Sequence, residues 1–160
     1  MTAADLLQAA KAKGVLLATA ESCTGGMLSA AITDIPGSSA IFDRGFVTYT
    51  NAAKMQMLGV AQATLDAHGA VSEEVAAEMA TGTRAHSDAD IAVAITGIAG
   101  PGGSEHKPEG RVCFGLASPK GVTTETVEFG ALGRDAVRAA ARVHGLALFG
   151  YAVDSIAHKT

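Results

Sequence analysis

The hydrophobic positions change period several times along the chain, and each change marks an element. Residues 2–13 place Leu6, Leu7 and Ala10 at helical spacing and stop at Gly14, a natural C-terminal stop. Val15–Ala20 is an apolar run of strand length, after which Glu21-Ser22-Cys23-Thr24-Gly25-Gly26 breaks the pattern. Met27–Thr33 resumes a helical period that ends before Pro36-Gly37. Phe42–Tyr49 alternates and carries Phe, Val, Thr and Tyr, which predicts a strand. Asn51–Leu58 predicts a short helix, and His68-Gly69 closes a second one. Ser72, with Glu73 and Glu74 in the first turn, starts a helix that runs to about Ala85. Ile91–Thr96 is continuously apolar, as in a strand buried on both faces. Arg111–Ala117 and Val122–Phe129 predict a strand pair joined at Pro119-Lys120-Gly121, and Asp135 to about Ser155 an Ala-rich helix. Helix-linked strands with one hairpin predict a three-layer α/β/α fold, a single domain over residues 1–160, with a mixed, mostly parallel sheet of about five strands.

Composition narrows the function classes. The 160 residues are 48% hydrophobic and 18% charged, with a formal net charge of −4. A chain of this length buries enough surface to fold without disulfides or metal. No dense Lys/Arg run provides the basic footprint of a nucleic-acid binder. The apolar run near the start is shorter than the roughly 7–15 residues of a secretory core, and nothing approaches the roughly 18 of a membrane span. The expectation is a cytoplasmic protein without membrane or nucleic-acid partners. Cys23 and Cys113 are too few for a disulfide framework and fit small buried hydrophobes. His68, His86, His106, His144 and His158 are scattered, so neither a metal nor a cofactor is expected.

Three segments could carry chemistry. In Glu21–Gly26 a strand ends, a hydroxyl and a thiol follow, and two glycines open a helix. A side chain there would sit beside backbone N–H groups at a positive helix end. The alternative is a Ser/Thr cap on a tight turn. The segment lacks the Lys of a phosphate-binding loop and the first glycine of a nucleophile elbow. In Thr48–Lys54, a Tyr at a strand end and a Lys about a turn later can point to one sheet edge. A lysine serves as a base only when neutral, and at its reference pKa of about 10.4 roughly one in 2,500 is neutral at pH 7. Such a role therefore requires burial; otherwise Lys54 is a surface residue. The third segment, Ile95–Gly103, is a glycine-dense loop after a buried strand, fit either to cradle an anion or to make a wide turn. Ser104-Glu105-His106-Lys107 matches S-x-x-K, but it lies among glycines in a polar loop rather than on a helix. Arg134 could bind an anion or simply face solvent at a helix start.

Taken together, AESCTGGMLSAAITDIPGSSAIF, VTYTNAAKMQMLGV, HGAVSEEVAAEMATG and ADIAVAITGIAGPGG resemble the CinA C-terminal domain family, which includes the stand-alone, PncC-type nicotinamide-nucleotide amidohydrolases. The likeness covers most of residues 18–103, and RDAVRAAA resembles the family's final helix. It implies hydrolysis of the carboxamide of nicotinamide mononucleotide to nicotinate mononucleotide and ammonia, by a Ser, a Tyr and a Lys acting together. By motif these are Ser22, Tyr49 and Lys54. The full-length relatives carry a large N-terminal domain resembling molybdopterin-binding proteins; this sequence lacks it, so any pyrophosphatase activity of that domain is expected to be absent. The family precedent also implies a homo-oligomer.

Residues and resemblance then combine into an expected site. Ser22 attacks the amide, Lys54 takes its proton, and Tyr49 aligns the pair or relays the proton to ammonia. Around the nucleophile, Cys23, Thr24, Gly25, Gly26 and Asn51 are expected to touch substrate, with oxyanion donors at Thr24–Gly26 or Thr96–Gly97. Ala99, Gly100, Gly102, Gly103 and Arg134 are expected to receive the phosphate. The alternatives are a non-catalytic nucleotide-binding or competence-associated partner module, and a cysteine amidase using Cys23.

Overall fold

The computed structural model describes residues 1–158, in the order α1 (Ala3–Lys13), β1 (Leu17–Glu21), α2 (Met27–Thr33), β2 (Phe42–Val47), α3 (Asn51–Leu58), α4 (Gln62–His68), α5 (Glu73–Ala85), β3 (Ile91–Gly97), β4 (Arg111–Ser118), β5 (Gly121–Glu128) and α6 (Arg134–Ser155). Local chemistry sets most boundaries. Thr2 and Asp5 form a reciprocal capping box on α1, Thr50 accepts from the Ala53 N–H at the start of α3, and Ser72 accepts from the Val75 N–H at the start of α5. Gly14 takes a left-handed conformation after α1, and the Val15 N–H is spent on the Ala10 carbonyl. For that reason β1 begins at Leu17, two residues later than the apolar run suggests. The neighbouring strand β2 ends at Val47 rather than Tyr49, because the chain turns to cap α3.

The sheet order is β2-β1-β3-β4-β5. β1 pairs parallel with β2 and β3, whereas β3–β4 and β4–β5 are antiparallel. Half the pairings are therefore parallel, yet β4 alone runs against the other four strands. α1, α2 and α6 pack together on one face, and α5 covers the other with α3 and α4 against it. The two faces have different textures. Ile91, Val93, Ile95, Phe114 and Leu116 meet α1, α2 and α6, while Ala20, Ala92, Ala94 and Ala117 meet the α5 side. Small side chains let α5 approach the strands closely: a Cβ at Gly115 of β4 would collide with the Ala76 carbonyl.

α6 is anchored at its far end by α1. The Lys13 ammonium donates to the carbonyls of Val153 (2.6 Å), Asp154 (3.2 Å) and Ile156 (2.8 Å), meeting the unpaired acceptors and negative pole of the helix terminus. No helix among the described residues is long and apolar enough to cross a membrane. At the opposite end of the sheet, Glu21 stands level with Val47 and Ile95, so β1, β2 and β3 release their chains side by side.

Candidate active site

Ser22 follows β1 directly, and its N–H donates to Ile95 O at 2.9 Å, one further rung of the parallel ladder. The turn behind it closes with Gly25 N–H to Ser22 O and Met27 N–H to Thr24 O, each 3.0 Å. The α2 N-terminus is already occupied. Glu21, fully buried, accepts from Leu28 N at 2.8 Å, Ser29 N at 3.0 Å and Ser29 Oγ at 2.7 Å. A carboxylate at this pole is favoured by the helix dipole and by charge-assisted bonds. The expected free anion site at this helix end is thus filled from within the chain. On the other side of the turn Arg138 donates to Cys23 O at 3.0 Å and Thr24 O at 3.4 Å. The turn carrying Ser22 is thus pinned by the Glu21 and Arg138 side chains, neither of which bonds to Ser22 itself.

Lys54 is 1% exposed, and its Nζ lies 3.0 Å from Ser22 Oγ, 3.0 Å from Thr48 O and 3.3 Å from Tyr49 O. Carbonyls only accept, so a neutral amine spends its two N–H bonds on Thr48 and Tyr49 and turns its lone pair toward the Ser22 hydroxyl. Burial holds the Lys54 ammonium below the ordinary lysine range. Burial also pushes the Cys23 thiol up to about 11, so the neighbouring sulfur is a protonated, weak nucleophile.

The Tyr49 side chain goes elsewhere. It is 57% exposed, and its phenol oxygen accepts from Arg134 Nη2 at 2.9 Å, while Arg134 Nη1 donates to Gly100 O at 2.8 Å. The first residue of α6 thereby ties the β2 end to the glycine loop. Tyr49 reaches Lys54 through its backbone carbonyl. The site consists of an inner cavity of about 190 Å³ containing Ser22, Cys23, Asn51, Lys54, Thr96 and Gly97, and an outer one of about 360 Å³ containing Gly100, Gly102 and Gly103. Tyr49, Gly97, Ala99 and Arg134 line both. Thr24, Gly25 and Gly26 line neither, because the turn runs away into α2. The Ile98 N–H is taken by Arg111 O, whereas that of Ala99 has no protein acceptor among the described residues.

Sequence reasoning missed Ala70 and Val71, which line both cavities; they follow the His68-Gly69 helix stop, and only that loop position hinted at a site. It also missed Glu21 and Arg138, whose side chains act on backbone rather than on substrate and leave no motif of their own.

An oxygen nucleophile hydrogen-bonded to a buried amine, in a cavity open to an outer cleft, can carry out acyl transfer. Comparison with known proteins points the same way. The chain is 56% identical over 140 residues to the nicotinamide-nucleotide amidohydrolase PncC of Enterobacter agglomerans, covering 86% of this chain and 85% of that one. The Escherichia coli K12 protein of the same name is 55% identical over 140 residues, with 87% and 85% covered. The crystal structure of the competence/damage inducible protein CihA from Agrobacterium tumefaciens superposes with a TM-score of 0.91 at 44% identity, over 96% of this chain and 93% of that one. Residues 1–152 match the model of the CinA C-terminal domain, and the chain belongs to the CinA C-terminal domain family.

Proposed function

We propose that the protein is an amidohydrolase that converts nicotinamide mononucleotide and water to nicotinate mononucleotide and ammonia. The observation that carries this reading is the buried Lys54 amine 3.0 Å from Ser22 Oγ, with two backbone carbonyls absorbing its other hydrogen-bonding capacity. The names of the relatives supply the substrate. Ser22 Oγ attacks the carboxamide carbon as its proton passes to Lys54 Nζ. The oxyanion meets the backbone N–H of Ala99. Lys54 returns the proton to the departing nitrogen, which leaves as ammonia, and Ser22 keeps the acyl group as an ester. A water molecule, giving its proton to Lys54, then cleaves the ester and restores the serine. Arg134 and the Gly100–Gly103 loop receive the phosphate in the outer cavity, and the Tyr49 phenol orients Arg134 there.

The test is ammonia release from nicotinamide mononucleotide by the purified protein and by Ser22→Ala, with hydroxylamine added in a parallel reaction to intercept the ester as a hydroxamate. Release with hydroxamate in the wild type, and neither in the variant, is the expected result. A folded wild type that binds the mononucleotide without releasing ammonia would instead indicate a binding module.

A further inference from the structure

Ala70 and Val71 line both cavities, and in the segment 68–71 that carries them each of the four carbonyl oxygens is held by a side chain. Those of His68 and Val71 both accept from the Lys107 ammonium at 2.6 Å. That of Gly69 accepts from Ser72 Oγ at 2.9 Å, and that of Ala70 from Thr96 Oγ1 at 2.9 Å. Surface loops ordinarily leave such groups to water; here every acceptor is bound within the protein.

Lys107 is presented by a tight hairpin. Ser104 and Lys107 exchange backbone hydrogen bonds of 3.0 and 2.8 Å, and the two residues between them, Glu105 (φ 51°) and His106 (φ 63°), are both left-handed. The S-x-x-K segment is thus a hairpin with no part in the chemistry of Ser22. It docks on a bare glycine: a Cβ at Gly69 (φ 76°) would collide with the Glu105 carboxylate and stand 3.0 Å from Lys107 Nζ.

We propose that Lys107 is a positioning residue of the active site. By binding the carbonyls of His68 and Val71 it fixes Ala70 and Val71 against the cavity of Ser22 and Lys54, and so sets the fit of the aromatic ring that carries the amide. The nature of that ring rests on the amidohydrolase reading; the clamp does not.

The experiment compares wild type, Lys107→Met, Lys107→Arg and Gly69→Ala by steady-state kinetics on nicotinamide mononucleotide, thermal unfolding and amide hydrogen exchange. Losing two charge-assisted bonds should raise KM about tenfold in Lys107→Met, with kcat held within about threefold. Exchange should quicken in peptides covering 68–72 and not in those covering β1 or β3. Lys107→Arg should recover most of both, since a guanidinium spans two acceptors, and Gly69→Ala should reproduce the defect with Lys107 intact. Unchanged KM and exchange in Lys107→Met would overturn the proposal. So would a fall in kcat that tracks a lowered Tm and is not rescued by arginine. An inactive wild type would count against the amidohydrolase reading alone, and the exchange comparison would still decide whether the clamp exists.

Discussion

Two carbonyls that can only accept leave the Lys54 amine one direction in which to receive a proton, and Ser22 stands there. Ser22→Ala should lower ammonia release by at least about a thousandfold with Tm unchanged. The depressed Lys54 pKa has a consequence for stability as well as for rate. Between the lowered native value and the ordinary one near 10.4, the unfolded chain binds more protons than the folded one, so stability rises with pH across that window. Below it both states are protonated and the full burial penalty applies. Denaturant titrations at pH 7 and pH 10 should therefore show wild type gaining on Lys54→Met at the higher pH, and the rising limb of kcat/KM should lie below the ordinary lysine range. The segments holding Ser22 and Lys54 stood out as the punctuation of a strand end and a helix start, while the choice of Ser22 over Cys23, and of a buried rather than a surface Lys54, came from the family resemblance. Glu21 did not stand out, since a glutamate beside a serine reads as a surface acid until the fold turns its carboxylate back onto α2. The direction of the Tyr49 phenol was likewise invisible, because its partner Arg134 is 85 residues away.

At the scale of elements, periodicity predicted every α-helix and strand but not the short 3-10 helix Ser38–Ala40, and the boundary errors fall at strand ends, where local caps and nonlocal bonds meet. Leu16 N–H donates to the Asp90 carboxylate and Thr48 N–H to Glu21 O, and no window around either residue contains its partner. The burial of Ile91–Thr96 on both faces was readable, but the unequal spacing of those faces was not, since it depends on which small residues face α5. Gly115→Ala tests that spacing. Its methyl group would press on the Ala76 backbone and the Ala80 side chain, so overpacking should cost about 1–3 kcal/mol in denaturant unfolding. Glu21→Gln should cost about 1–2 kcal/mol through the weakened start of α2, with a larger proportional loss of ammonia release than of stability, because the turn carrying Ser22 is anchored by that cap.

For the whole molecule, the carboxyl ends of three neighbouring parallel strands and the first turn of α6 converge on one cleft, the usual place for ligands in open α/β sheets. Nicotinamide mononucleotide at about 100 times its Kd should stabilise Ser22→Ala by about 2.7 kcal/mol, seen as a Tm increase of roughly 5–10 °C. The hairpin strands β4 and β5 account for the mixed pairing, and their order was predictable only as far as a short Pro-Lys-Gly connection demands adjacency.

The anchoring of α6 by Lys13 places two distant sites in mechanical series. The helix runs unbroken over 22 residues, about 33 Å at 1.5 Å per residue, with Lys13 gripping one end and Arg134 and Arg138 reaching the glycine loop and nucleophile turn from the other. A fault at the grip would travel as a tilt rather than as a lost contact. Lys13→Met, remote from any substrate, would then behave in turnover assays like a mild lesion of the cleft, and a second change that re-anchors the helix end would repair it.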